Sequence, residues 1–200
     1  MESYNSAILA KKIYDSSLEF FNLKTLRDIL AIRKESTFYN AVKRLTDNGI
    51  LEKLEKNKYI LKSSKISELK LANLLYYPSY ISFETALNIQ SVISQFPYEI
   101  TSATTKKSSV KKINNSIFSY VHLQKSLYWG YSKKDYLIAE PEKALLDLAY
   151  IACKGFKKIN LEEYDLSIIN KVKFKDYLNK YPVNPQFLKT KKELIKKLYL

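Results

Sequence analysis

The spacing of apolar residues changes at Gly49, and this change limits what the first part of the chain can fold into. Before Gly49, apolar residues recur every three or four positions, which is the spacing that buries one face of a helix. After Gly49, two short runs have the length and composition of strands. We therefore predict helices over 4–15, 23–30 and 36–48, strands over 50–55 and 58–62, and a turn at Lys56-Asn57.

The order of these elements indicates a particular domain. Three helices with a tight connector at 31–34 between the second and the third, followed by a hairpin, form the order of a winged helix-turn-helix. Ser36 is placed to cap the third helix, and Gly49 stands where helices stop. The sequence thus predicts an α+β protein with an N-terminal winged helix-turn-helix over 1–62 and a larger domain over 63–200.

The predicted third helix has two faces of different chemistry. Its apolar face, which should pack into the three-helix core, consists of Phe38, Ala41, Val42 and Leu45. The opposite face carries groups that can hydrogen-bond to base edges and phosphates in a major groove. Asn40 is the expected base reader, because its amide can pair with both N6 and N7 of adenine. The predicted DNA-binding residues are Arg33, Lys34, Ser36, Thr37, Tyr39, Asn40, Lys43 and Arg44 around this helix, and Lys56, Asn57 and Lys58 in the wing.

A second interpretation of the same domain stays open. Residues 1–62 hold 12 Lys and Arg against 8 Asp and Glu, a net charge of only +4. Asp47 also lies on the polar face, where it would repel phosphate. Winged helices serve as protein-interaction modules as well as DNA readers. The alternative is therefore a module that masks a partner enzyme directly and does not bind specific DNA.

Positive charge is the most unusual property of the composition. The chain has 34 Lys and Arg against 20 Asp and Glu, a net charge of +14, which favours an anionic partner such as nucleic acid. Residues 63–200 carry 22 of these cations and 12 of the acids, or +10. Because only three of the cations are arginines, part of the charge can reflect the codon bias of an AT-rich genome. The densest stretch is a secondary basic patch, either phosphate-binding or a solvated loop, of Lys106, Lys107, Lys111 and Lys112.

Residues 65–71 form a predicted helical joint between the two domains, and a further predicted helix, which Ser82 can cap, runs to about Ile93. Strand-like runs rich in Tyr, Ile, Val and Thr follow, and they predict a small antiparallel sheet with flanking helices. Pro141 then stands where a further helix begins. The predicted strands lie at Glu99–Thr105, Ile117–Gln124, Leu127–Tyr131 and Tyr136–Ala139.

Two segments of this domain carry a family resemblance. Residues 78–87, PSYISFETAL, resemble the Y-[IV]-S-x-x-[ST]-A-L segment of the AbiEi family, the antitoxins of type IV abortive-infection systems. Residues 138–147, IAEPEKALLD, are similar to the A-x-P-E-[KR]-[AT]-L-[LV]-D block of that family. The strands between the two blocks and the N-terminal winged helix also match in order, so the resemblance covers nearly the whole chain.

The resemblance implies a function with two parts. A member of this family represses its own operon by binding double-stranded DNA in its promoter through the winged helix. It also neutralises a nucleotidyltransferase-like toxin encoded beside it, and the C-terminal domain is needed for that activity. The sequence leaves open whether neutralisation needs direct contact with the toxin. It also leaves open whether the protein acts as a monomer or as a homodimer.

The residues do not indicate an enzyme, a cofactor or a metal site. Glu142 and Asp147 would diverge by about 140° on the predicted helix, so we interpret them, with Glu140, as helix-dipole partners and surface ion pairs. His122 is the only histidine and is expected to face outward from a strand. Glycine occurs only at 49, 130 and 155, too sparsely for a phosphate-binding loop.

From the sequence we expect no membrane-spanning segment, no signal peptide and no intrachain disulfide. A single cysteine cannot form an intrachain disulfide. The longest apolar run, at 144–153, is about half a membrane span and contains Asp147. The first residues lack the basic region of a signal peptide. We therefore predict a cytoplasmic protein without a membrane segment.

Overall fold

The chain divides between Ser67 and Glu68 into two units, and each is described by itself. The structure is a computed structural model, and it describes residues 5–155, 159–182 and 185–199. Both units combine helices with a sheet, so the protein is of mixed α+β class.

The first unit contains the predicted helices and hairpin. The second helix occupies the predicted residues, and the first begins at Ser6; Tyr4, the predicted start, lies outside the described residues. One strand that the sequence did not predict precedes the second helix. The elements are α1 Ser6–Asp15, β1 Phe20–Asn22, α2 Leu23–Leu30, α3 Glu35–Asp47, β2 Leu51–Glu55 and β3 Lys58–Leu61.

Local chemistry sets the ends of these helices. The side chain of Asn5 accepts a hydrogen bond from the backbone N–H of Ala7, and Asn22 caps α2 by accepting one from Thr25. Ala31 ends α2 in the left-handed conformation, at a φ of 54°. Ser36 was expected to cap α3, but the cap is Lys34, which makes no side-chain capping bond, and Ser36 lies inside the helix.

A three-stranded antiparallel sheet of order β1-β3-β2 closes the first unit. The strands of the hairpin pair directly, and β1 adds to the free side of β3 through Phe21 opposite Tyr59. The helices contribute one apolar face each to a common core. That core consists of Leu9, Ile13, Phe21, Leu26, Leu30, Ile32, Phe38, Ala41, Val42, Leu45, Leu51 and Tyr59.

The second unit surrounds a larger sheet with helices. Short 3-10 helices at Lys125–Leu127, Leu161–Glu163 and Leu166–Ile168 connect some of its elements. Its elements are α4 Glu68–Leu75, β4 Ser79–Ile81, α5 Phe83–Ile89, β5 Ile100–Thr104, β6 Ser109–Ile113, β7 Ser116–His122, β8 Tyr131–Lys133, β9 Leu137–Ala139, α6 Pro141–Ala152, α7 Lys171–Asn179 and α8 Pro185–Tyr199.

The sheet of the second unit is mixed, so the prediction of a small antiparallel sheet was wrong. Its order is β6-β7-β5-β4-β9-β8. The β4–β9 pair and the β5–β7 pair are parallel, and the remaining pairs are antiparallel. The strand predicted over Leu127–Tyr131 is also absent there, because that segment contains the end of a 3-10 helix and reaches the sheet only at Tyr131.

Helix α6 lies in the interior of the second unit. Pro141 occupies its first turn, where the missing N–H costs nothing. All residues from Glu142 to Ile151 are buried, including three charged ones. Helix α6 packs against α5 and α7, so the core of this unit surrounds the helix on several sides.

Candidate nucleic-acid interface

Helix α3 presents the predicted polar face to solvent. Its apolar side chains at 38, 41, 42 and 45 are buried in the core, which holds the helix in one orientation. The opposite face is therefore fixed outward. Of the residues predicted to contact DNA in and before this helix, Thr37 is half-buried, and the exposed ones are Arg33, Lys34, Ser36, Tyr39, Asn40, Lys43 and Arg44.

The charged side chains on this face differ in whether an opposite charge lies nearby. Within the described residues, neither Lys43 nor Arg44 forms an ion pair, so their charges face solvent. Glu35, at the start of the helix, lies 3.8 Å from the guanidinium of Arg27. Asp47, at the last turn, is exposed. A phosphate would thus be attracted to the middle of the helix and repelled at its C-terminal end.

The hairpin turn holds the predicted wing residues. Lys56 and Asn57 are exposed, and Asn57 adopts a φ of 64°, which asparagine tolerates better than most residues. Lys58 is different, because its ammonium lies 2.6 Å from the carboxylate of Glu55 and is half-buried. The turn therefore presents one exposed lysine and one lysine whose charge is already opposed.

The secondary basic patch is in the second unit, and half of it lies in a strand and not in a loop. Lys111 and Lys112 belong to strand β6, whereas Lys106 and Lys107 precede it. The ring of Tyr76 makes cation–π contacts with two lysines of this patch, because the ammonium groups of Lys106 and Lys111 lie 5.4 and 5.5 Å from its centre. The Tyr76 hydroxyl also donates a hydrogen bond of 2.9 Å to the carbonyl of Lys107.

The two sequence blocks that carry the family resemblance meet in the interior of the second unit. Asp147 accepts hydrogen bonds from Tyr80 at 2.9 Å and from Ser82 at 2.8 Å. Its other oxygen accepts one from Tyr181 at 2.7 Å and forms an ion pair with Lys143. Lys143 and Asp147 are fully buried, so this cluster (Tyr80, Ser82, Lys143, Asp147 and Tyr181) has no access to solvent.

Burial controls the ionisation of this cluster. It lowers the pKa of Lys143, an effect that the charge of Asp147 opposes. Burial also raises the pKa of Tyr80 and of Tyr181 well above the ordinary value, and the nearby carboxylate of Asp147 adds to the shift. The hydroxyls therefore remain protonated donors to Asp147, and the cluster is a closed structural network.

The expectation that the carboxylates of α6 form surface ion pairs was wrong for Asp147. Glu142 is also buried, and its carboxylate accepts a hydrogen bond of 2.9 Å from the backbone N–H of Asn170. Glu140 fits the expectation, since it pairs with Lys173 at 2.9 Å with both side chains partly exposed. Burial alone would raise the pKa of Glu140, but the hydrogen bonds from Tyr177 and Lys173 outweigh it and lower that pKa.

The remaining candidate reactive groups are dispersed. His122 lies exposed at the end of β7, with its Nδ1 2.9 Å from the carbonyl oxygen of Lys106. Cys153 is partly exposed at the end of α6, and burial raises the pKa of its thiol. Among the described residues, no group of three or more His, Cys, Asp and Glu side chains could hold a metal ion. None of the helices that the structure describes is long and apolar enough to cross a membrane.

No model of a known protein family matches the chain, and no curated protein matches its sequence.

Proposed function

We propose that the protein is a DNA-binding autorepressor and an antitoxin that counteracts a nucleotidyltransferase-like toxin. The first unit acts as a winged helix-turn-helix that reads the promoter of its own operon. The observation that carries this proposal is the fixed outward face of α3. It combines an amide, hydroxyls and two cations on one side of a helix whose other side is held in the core.

The arrangement of the first unit supports the DNA-reading part. Helices α2 and α3 are joined by a short connector, and the hairpin follows α3 directly. Strand β1 completes a small sheet with that hairpin. In a winged helix-turn-helix, the second helix of the motif enters the major groove and the hairpin turn contacts the adjacent backbone. Helix α3 and the turn at Lys56-Asn57 have the corresponding positions in the chain.

The buried cluster supports the antitoxin part. Tyr80 and Ser82 come from the first block of the resemblance, and Lys143 and Asp147 come from the second. A shared network explains in physical terms why both blocks would be needed for one domain. This second unit would carry the antitoxic activity, and its cluster would maintain the fold rather than contact the toxin.

The first test is a binding titration of the full chain. The probes are the DNA immediately upstream of the gene and a scrambled duplex of the same composition, compared across a salt series. Under the proposal, the upstream DNA binds more tightly and its advantage persists at physiological salt, because base contacts do not depend on counterion release. Equal affinities that vanish together as salt rises would contradict sequence reading.

A matched pair of variants locates the reading face. The double variant Asn40→Ala, Arg44→Ala removes two exposed groups and should leave the core intact. We expect it to lose at least about tenfold in affinity for the upstream DNA, since one good base contact alone is worth that much. Lys11→Ala, which removes one exposed cation from α1, is the charge-matched control. If both variants lose affinity equally, α3 is not the reading helix.

A second function is favoured by one observation. Asp47 is exposed on the same face of α3, and it suits a protein partner better than phosphate. In that case the protein would mask a partner enzyme without specific DNA binding. Size-exclusion chromatography of the chain with the protein encoded beside it distinguishes the two functions. A stable complex in a protein that fails the DNA titration would favour masking.

A further inference from the structure

Strand β6 lies at one edge of the six-stranded sheet. Within the described residues, it pairs with β7 on one side and has no strand on the other. An uncovered edge presents backbone N–H and C=O groups that can pair with another chain. Val110, the second residue of β6, is 60% exposed, which is unusual for a valine within a sheet.

The register of the hairpin shows which backbone groups face outward. Ile113 pairs with Ser116 across the two-residue turn Asn114-Asn115, and Asn114 adopts a φ of 53°. In such a hairpin, the residues that flank the turn exchange hydrogen bonds, and every second pair along the strands does the same. The backbone groups of Val110 and Lys112 therefore point away from β7, toward the open edge.

A cavity of about 650 Å³ adjoins this edge. Val110, Val121 and Ile151 provide its apolar walls, and Ser108, His122 and Lys154 also line it. It lies between the β6–β7 hairpin and the C-terminal end of α6. An extended peptide on β6 would place every second side chain toward the face that holds this cavity.

The charge around strand β6 indicates the chemistry of a partner that would bind there. Lys106, Lys107 and Lys112 are exposed beside or within β6. Residues 100–134 contain seven lysines and no acidic residue, so cations predominate around this edge. One carboxylate does lie at the turn end of the hairpin, where Glu68 accepts a hydrogen bond from Ser116.

Side chains alternate along a strand, so Lys111, whose ammonium lies with that of Lys106 at the ring of Tyr76, is on the face opposite Val110. An extended segment that alternates acidic and apolar side chains would place its acids toward these two lysines and its apolar side chains toward the cavity.

We propose that β6 is the docking edge for an acidic, extended segment of a partner protein, which adds to the sheet as its next strand and inserts apolar side chains into the cavity beside Val110. Main-chain hydrogen bonds supply affinity in this mode of recognition, and the pocket supplies specificity. A nucleic acid fits the observations less well, because a phosphate backbone has no row of groups to match the strand edge. The proposal does not rest on DNA reading by α3.

The experiment uses the full chain and a labelled seven-residue peptide that alternates glutamate and valine. Fluorescence anisotropy should show saturable binding at low salt. The same peptide methylated on each backbone nitrogen keeps its charges but cannot donate main-chain hydrogen bonds, and it should bind at least about tenfold more weakly. A peptide that alternates lysine and valine should not bind. Equal binding of the methylated peptide, or no binding of the first, would overturn the proposal.

A variant and a map of the site complete the test. Val110→Pro removes one outward N–H without breaking the β6–β7 pairing, since proline is tolerated on an edge strand when its nitrogen faces solvent. It should weaken the glutamate–valine peptide about tenfold, and far-ultraviolet circular dichroism checks its fold. In the wild-type chain, the bound peptide should slow amide hydrogen exchange at Val110 and Lys112. A scrambled DNA duplex that protects these amides, while the peptide does not, would make the edge a nucleic-acid surface and overturn the proposal.

Discussion

Lys143 lies one helical turn before Asp147 on α6, and the two form an ion pair that is fully buried. Removing two charges from water costs several kcal/mol for each ion, which is recovered only when the remaining hydrogen bonds are complete. Here Tyr80, Ser82 and Tyr181 complete them. These donors come from β4, from the residue after it and from the segment after α7, so the pair ties three parts of the second unit to one helix.

Removal of Asp147 should destabilise the protein more than removal of Lys143. Asp147→Ala leaves a buried ammonium and three hydroxyls without their acceptor, and we expect a loss of about 3–5 kcal/mol. Lys143→Met leaves a carboxylate that still receives three hydroxyl donors, so its loss should be smaller. Urea unfolding followed by the fluorescence of Trp129 measures both, since this only tryptophan lies beside Lys143.

An exposed pair with the same spacing is the control. Asp176 of α7 and Lys180, which directly follows that helix, are also four residues apart and lie at 2.7 Å, but their side chains are 63% and 48% exposed. Asp176→Ala should change the free energy of unfolding by less than about 1 kcal/mol. If it costs as much as Asp147→Ala, burial is not the reason for the effect.

Gly130→Ala should be more costly than Gly155→Ala. Both glycines have a positive φ, 72° and 83°, so alanine at either position meets the same backbone strain. At Gly130, an added Cβ would also lie 3.0 Å from Cγ of Lys143, whereas at Gly155 no atom of the described residues lies within 4 Å. We expect Gly130→Ala to cost at least about 1 kcal/mol more in urea unfolding, because the buried lysine must move. Equal costs would show that Lys143 adapts freely.

Alkaline pH should unfold the protein through its tyrosines. Burial raises the pKa of Tyr80 and of Tyr181 well above the ordinary value, and burial followed by Glu84 raises the pKa of Tyr164 to about 12. In the unfolded chain these groups lose their protons near pH 10, so above that pH the unfolded state binds fewer protons than the folded state. The free energy of unfolding should therefore fall as pH rises from about 10 toward the folded pKa values.

At lower pH, Lys143 changes the free energy of unfolding in the opposite direction. Its folded pKa is lowered, so the unfolded state binds more protons up to about pH 10, and this group alone makes stability rise with pH there. Urea unfolding at a series of pH values, with tyrosinate absorbance recorded in parallel, measures both effects. Tyr164→Phe should flatten the decline between about pH 10 and 12. A profile without any decline above pH 10 would contradict the assignment.

Local patterns predicted the first unit better than the second. Helix α2 occupies the predicted residues, and each hairpin strand is one residue shorter than predicted, because their apolar spacing, caps and turn are all near in sequence. Strand β4 was missed because it has only three residues, all buried, and so shows no alternation. Its parallel contact joins Ile81 to Ile138, a pairing that no local pattern encodes.

In the candidate sites too, some features follow from local structure and others depend on tertiary packing. The exposed face of α3 follows from helical geometry alone, because one face of the helix is buried. The angular positions of residues around α6 predicted the wrong environment for Asp147. That helix is buried on all sides, so none of its faces lies at the surface. Tyr76 directly follows α4, which packs against β4 and β5, so its position beside Lys106 and Lys111 depends on tertiary packing that only the structure shows.

Lys56 and Lys58 should contribute unequally to DNA binding if the hairpin turn serves as the wing. Lys56 is exposed, so Lys56→Ala should weaken binding to all sequences alike and reduce the salt slope by about 0.9, the value for one phosphate contact. Lys58 already pairs with Glu55 at 2.6 Å, so Lys58→Ala should have a smaller effect. Glu55→Ala removes that opposing charge and should strengthen binding. Titrations of the three variants across a salt series measure this order. A loss on Glu55→Ala, or equal losses for both lysine variants, would mean that the ion pair does not limit contact with phosphate and that the turn acts in another way.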